Sequence, residues 1–305
     1  VQIPNKSTAS NYAIFSDLTG TLVRQHAHGF PSSRRLLVRK LIEGGCFFCV
    51  ITNDTFEAVH EFFITPLGTL TSPYFVISGG GYVGHQVDGQ EVTEFFQGRG
   101  IAVEIRSAIG ARIKSILESR FKKSLILPPI KDISAERTSI AALNPSFGPL
   151  SYFESTPSKV AVFFLDNPVA TETQQSLFDA IESDDQIKEL IKTQGLYLTR
   201  GANYLDITSC VKSDGLSALY ASPLPSRFNL TERNITVLGD SLNDKDMLLY
   251  KFQTSKQINR IFLGEHRELA DQIRQTFPQE FLFLESQYVD GAETILSQLV
   301  EGANL

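Results

Sequence analysis

Two short apolar runs that each stop at an aspartate and a tight turn constrain this fold most. "YAIFSDLTGT" covers residues 12–21 and "ITVLGDSLND" covers residues 235–244. A bulky run that ends abruptly at a charged group suits a strand buried on both faces of a parallel sheet. Ligands in such a sheet bind at the carboxyl ends of the strands. If the two runs share one sheet, acids from distant parts of the chain meet in one crevice.

The rest of the chain supplies the partners that such strands need. "SSRRLLVRKLIEGG" places Leu36, Leu37 and Leu41 at helical spacing and ends in paired glycines, a helix stop. "CFFCVITND" reads as a second buried strand with Thr52 and Asn53 at its end. "YFVISGGG" reads as a third, closed by a glycine turn that serves either as a phosphate cradle or as a hinge; without the Lys-Ser/Thr of a P-loop the hinge is preferred. From Tyr82 the character changes to hairpins, the first around Asp88-Gly89, and two helical stretches. After Ser213 strand and helix alternate again. The expected fold is therefore α/β, a Rossmann-like parallel-sheet core formed by residues 1–81 and 200–305. An α+β domain is inserted over residues 82–199.

Composition narrows the function. The chain has 305 residues, 34 acids against 28 bases, and a formal net charge of −6. Phosphate backbones select clustered Lys and Arg, so no nucleic-acid partner is expected. There is no apolar run long enough to span a bilayer and no apolar signal core in "VQIPNKSTASNY", so no membrane partner is expected. Cys46, Cys49 and Cys210 cannot all pair, which fits a reducing cytoplasm. Cys46 and Cys49 spell C-x-x-C, but within a strand pattern, where buried thiols are expected rather than a redox or metal site.

Chemistry concentrates at the strand ends. Asp17, Thr52 and Asp240 each close a strand, and two carboxylate-bearing loops facing a phosphate oxygen make a site for Mg²⁺, a hard ion that takes oxygen ligands. Together "DLTGT", Thr52 and "GDSLND" resemble the haloacid dehalogenase-like superfamily, specifically its Cof-type members with a large inserted cap. The stretch from Asp17 to Thr52 is too short to hold that cap, and the stretch from Thr52 to Lys212 has room for it.

The resemblance implies a phosphatase for a small phosphorylated metabolite, with sugar phosphates leading. Asp17 would be the nucleophile and form an aspartyl-phosphate. Mg²⁺ would be held by Asp17, the carbonyl of Thr19, Asp240 and Asp244. Thr52, Asn53 and Lys212 would bind the phosphoryl group, and Gly20, Thr21, Gly239, Ser241 and Asn243 would shape the two loops. The family's Lys-Gly pair reads here as "CVKSDGLSALYA", which puts Lys212 two residues early and requires a small local shift.

Thr19 is the sharper departure, because the family usually has a second aspartate there. General acid–base help of that kind is typically worth about 10²- to 10⁴-fold in rate. A threonine hydroxyl does not exchange protons in this way near neutrality. The leaving group then needs little protonation, or another acid such as Glu91, Glu94 or His85 substitutes, or turnover is poor. Poor turnover leaves room for a binding or regulatory protein, or for a phosphotransferase. His26 and His28 are read as an exposed loop, and Arg137 and Lys159 as candidate substrate contacts from the inserted domain.

Overall fold

A computed structural model of the chain describes residues 8–23, 30–121, 136–139, 151–164, 172–200, 204–303 and 305. The apolar runs do become strands. They are β1 (Tyr12–Ser16), β2 (Phe47–Ile51) and β3 (Tyr74–Ser78), in which every residue is buried. The hairpin β4 (Val83–Asp88) and β5 (Glu91–Gln97) follows. Next come β6 (Glu136–Ser139), β7 (Ser151–Ser155), β8 (Lys159–Phe164), β9 (Tyr197–Arg200) and β10 (Tyr204–Thr208). The chain returns through β11 (Asn234–Gly239), β12 (Ile258–Phe262) and β13 (Phe281–Phe283).

The first sheet has the order β13-β12-β11-β1-β2-β3-β4-β5. Its strands from β13 to β3 run parallel, and β4 and β5 are added antiparallel at one edge. Alternation along β1 divides the core in two, since successive side chains point to opposite faces. Tyr12 and Ile14 join the cluster around the helices Ser32–Glu43 and Tyr288–Gly302, whereas Ala13 and Phe15 join the cluster around Leu216, Leu219 and Ile273. In the helix Ser32–Glu43 the buried face is Val38, Leu41 and Ile42; Leu36, expected on that face, is 56% exposed.

The second sheet, β6-β7-β8-β10-β9, is antiparallel throughout. Helices Val103–Phe121, Glu172–Glu182 and Asp185–Gln194 share one apolar cluster with it, built from Ile109, Ile113, Val160, Val162, Phe178 and Ile207. Asp184 separates the last two helices. Its carboxylate accepts the Gln186 and Ile187 amides as an N-cap and takes both Arg112 Nε and Nη2.

The structure divides into one unit of residues up to Gly98 with Val211–Leu305, and another of Arg99–Cys210. These limits differ from the expected 82–199 insertion at both ends. The β4–β5 hairpin belongs to the first sheet because β4 pairs along the whole of β3. Likewise β10 pairs with β8 and β9, which places residues 204–208 in the second unit. No described helix is long and apolar enough to cross a membrane.

Candidate active site

Since β11, β1 and β2 are neighbours, Asp240, Asp17 and Thr52 emerge side by side at their carboxyl ends. The ladder continues into the turns: the Asp17 amide donates to the Leu238 carbonyl and the Thr52 amide to that of Ile77, each at 2.9 Å. Asp17, Asp240 and Asp244 are all buried, and one carboxylate oxygen from each lies within 4.8 Å of the others.

Two glycines allow this crowding. A Cβ on Gly20, whose φ is +96°, would fall 2.3 Å from Asp240 Oδ2. A Cβ on Gly239 would fall 2.6 Å from that of Asp244. Thr21, fully buried, donates its hydroxyl to Asp240 Oδ1 at 2.8 Å. Asp244 Oδ2 accepts the amides of Asp240 and Ser241 and the Ser241 hydroxyl, which fixes the turn. The Asn243 Oδ1 atom is buried with no hydrogen-bond partner among the described residues.

Lys212 does reach the acids. Its ammonium, on a residue 2% exposed, donates to Asp17 Oδ1 and to Asp244 Oδ1, each at 2.5 Å. It opens the helix Lys212–Ala221, and Asp214 caps that helix by accepting the Val211 amide at 2.9 Å. So the acid that intrudes in "KSDG" serves the backbone, and Lys212 remains available to the site.

Three buried carboxylates face one ammonium. Burial raises the Asp17 pKa most, Lys212 opposes it, and Asp244 and Asp54 add to it, for a net value of about 7. Burial, then Asp17 and Asp244, pushes Asp240 well above the ordinary carboxylate range. Burial alone would lower Lys212, but Asp17 and Asp244 more than offset it and hold the ammonium charged. Such a pattern marks a site short of positive charge. Asp17 Oδ2 is buried and has no hydrogen-bond partner among the described residues. An all-oxygen donor set with one orphaned carboxylate oxygen fits Mg²⁺.

The remaining expectations divide. Thr52 is buried, but its hydroxyl donates to Asp54 Oδ2 at 2.9 Å and accepts the Asp54 amide at 3.2 Å. Asn53 is half-buried beside it. Thr19 is exposed, and its hydroxyl also donates to Asp54 Oδ2, at 2.8 Å. Asp54 is the residue that sequence reasoning missed. Its only signal was an acid two positions after Thr52 in "TND".

The glycine turn after β3 does not cradle an anion. The Gly79 amide donates to the Asp54 carbonyl and the Gly80 amide to that of Thr52, so both are spent holding the loop after β2. The His85 ring stacks on Phe56, with centroids 3.9 Å apart, and faces Glu94 across the β4–β5 hairpin. Glu91 sits opposite Asp88 at the tip of that hairpin. Arg137 and Lys159 lie on β6 and β8 of the second unit. His26 and His28 lie outside the described residues.

Cys46 and Cys49 fall into the two different core clusters, on opposite faces of the sheet. Burial pushes the Cys46 thiol up to about 12 and raises that of Cys49 further. They form neither a redox pair nor a metal site.

Residues 14–255 match the family model of the haloacid dehalogenase-like hydrolases. Comparison of the sequence with curated proteins gives no match. Among solved structures, the C-terminal domain of Candida albicans trehalose-6-phosphate phosphatase is similar at a TM-score of 0.60 and 12% identity, covering 97% of this chain and 93% of that one. A phosphatase of the haloalkanoate superfamily from Bacteroides thetaiotaomicron gives 0.54 and 15%, covering 100% and 99%. The IMP-bound IMP-nucleotidase of Plasmodium falciparum gives 0.52 and 12%, covering 95% and 68%. At these identities the likeness is one of fold.

Proposed function

The chain belongs to the haloacid dehalogenase-like hydrolases, and on that premise we propose that it is a Mg²⁺-dependent phosphatase that hydrolyses a small phosphorylated metabolite through Asp17. One observation carries this reading. Asp17 holds one oxygen on Lys212, its other oxygen is buried with no hydrogen-bond partner among the described residues, and its carboxylate clusters with those of Asp240 and Asp244.

Asp17 would attack phosphorus, form an aspartyl-phosphate, and be released by water, which splits one difficult displacement into two. Lys212 keeps its charge and orients Asp17 Oδ1 for the attack. It also lies where negative charge spreads over the phosphoryl oxygens as the leaving bond lengthens. Thr52 and Asn53 would bind those oxygens from the end of β2. Asp17, Asp240 and Asp244 would hold Mg²⁺, which when bound supplies positive charge against the repulsion between a carboxylate and an anionic phosphoryl group. Asp244, fixed by three donors on its other oxygen, would orient the set.

Sugar phosphates are the proposed substrate class. The Cof-type resemblance supports this, as does a fold neighbour named for trehalose 6-phosphate. The three free, buried cysteines support a reducing cytoplasm as the compartment.

The test is phosphate release from a panel of small phosphate esters, with and without Mg²⁺, using Asp17→Asn as the blank. Mg²⁺-dependent release that the variant lacks is the expected result. Full activity in Asp17→Asn would remove the nucleophile assignment. A ligand-binding protein without turnover is the second reading, favoured by the Thr52 hydroxyl being held by Asp54 rather than free. Silence across the panel with phosphate still bound would select it.

A further inference from the structure

We propose that Asp54 carries the proton that the missing second aspartate would otherwise carry, and that Thr19 positions it. The proposal rests on the phosphatase reading above. Thr19 stands two residues after the nucleophile, where a carboxyl would ordinarily meet the leaving oxygen. Its hydroxyl instead donates to Asp54 Oδ2, and the Thr52 hydroxyl donates to the same atom from the other side. These two bonds fix one carboxylate oxygen between the loops that follow β1 and β2. The other oxygen, Oδ1, makes no hydrogen bond among the described residues.

This arrangement is more than a solvated surface acid needs. A loop aspartate that merely caps its own turn would bond the backbone nearby, as Asp214 does with the Val211 amide. Asp54 instead reaches across to the neighbouring strand's loop, 35 positions earlier in the chain, and takes the side chain in the acid's place. Thr19 is exposed and Asp54 half-buried, so the pair is open to an alcohol and to water from outside.

The proton balance closes over the two steps. As Asp17 bonds to phosphorus, the phosphorus–oxygen bond to the leaving group breaks, and that oxygen keeps the electron pair and takes the Asp54 proton. Water then attacks the aspartyl-phosphate and passes a proton to the Asp54 carboxylate. The bond between phosphorus and Asp17 breaks, and its electrons return to the Asp17 carboxylate. Alcohol and phosphate leave, and Asp54 is again protonated.

Leaving-group dependence tests the assignment. An alkyl phosphate needs the proton and a nitrophenyl phosphate does not, because nitrophenolate leaves unaided. In Asp54→Asn, kcat/KM for the alkyl ester should fall by about 10²- to 10⁴-fold, and for the nitrophenyl ester by less than tenfold. Acid quench of the variant during nitrophenyl turnover should trap phosphorylated protein, because the water step has lost its base. Thr19→Val should give a smaller loss of the same selectivity. The double variant Thr19→Asp with Asp54→Asn should regain alkyl activity, a recovery that a merely structural role for Asp54 would not give.

Equal losses on both esters with no trapped phosphoprotein, or no loss on either, would overturn the proposal while leaving the phosphatase reading intact. A wild-type chain inert to every ester would sink both. Circular dichroism of each variant, matched to wild type, separates these outcomes from misfolding.

Discussion

A Cβ placed on Gly81 would lie 2.3 Å from the Val211 carbonyl oxygen and 3.0 Å from the Gly215 amide nitrogen. The turn after β3 and the helix that begins at Lys212 therefore touch backbone to backbone. Gly215 repeats the relation from the other side, since its own Cβ would fall 2.9 Å from the Gly81 Cα and 2.6 Å from Ile77. This contact sets how far Lys212 enters the site.

Gly81→Ala should therefore affect both stability and turnover. Its φ of +105° adds a conformational cost of about 1–3 kcal/mol to the clash. Urea unfolding should show at least that loss, and phosphate release should fall as Lys212 is displaced. Gly89→Ala is the control. It too has a positive φ, +62°, but its Cβ would meet nothing within 4 Å. It should cost only about 1–2 kcal/mol and leave the activity unchanged.

Lys212→Met should destabilise the metal-free protein by about 3–5 kcal/mol, because it leaves buried carboxylates without their cation. Mg²⁺ should restore part of that loss, since a ligand at 100 times its dissociation constant contributes about 2.7 kcal/mol. Thermal unfolding in chelator and in saturating Mg²⁺ measures both. A variant that Mg²⁺ stabilises no more than it stabilises wild type would show that Lys212 and the ion do not share the carboxylates.

The second unit should weaken in acid. The Arg112 hydrogen bond holds the Asp184 pKa below its ordinary value. A depressed carboxylate contributes stability that is complete above the unfolded pKa of about 3.9 and is lost as pH falls through the folded value. Asn caps helices about as well as Asp, so Asp184→Asn isolates the charge. The variant should be less stable than wild type at pH 7, and the gap should close below about pH 4. A gap that is constant with pH would assign the effect to packing.

Thiol reagents should not find Cys46 or Cys49 in the native protein. Both are buried, and burial disfavours the thiolate that reacts. An excess of disulfide reagent should label them only after unfolding in denaturant. Rapid native labelling of both would contradict their placement in two separate cores.

The strand ends were legible because an apolar run that stops at Asp17 or Asp240 has few other folds available to it. Lys212 was legible as a cation near the start of a helix, although only the structure shows Asp214 turned to the Val211 amide. Asp54 was not, since sequence shows neighbours along the chain and its partner Thr19 lies across the gap between β1 and β2. The Asp88-Gly89 turn announced a hairpin but not the sheet it joins, which depends on the length of β3 left open at the edge. Leu36 misled through spacing alone. The helix buries Val38, Leu41 and Ile42, and Leu36 lies off that face.

The pairing of β1 with β11 joins Tyr12–Ser16 to Thr236 and its neighbours across more than two-thirds of the chain. During synthesis the first three strands emerge with one flank of β1 unpaired, and the whole second unit must follow before that flank is covered. Chains fold from the amino terminus as they are made, and pairings between distant segments form late. Asp17 thus emerges long before Lys212, Asp240 or Asp244 has been made. A ribosome stalled before residue 212 would carry a nascent chain with the nucleophile but without the lysine or the other two acids, so the chemistry switches on only once residues 212–244 have been made.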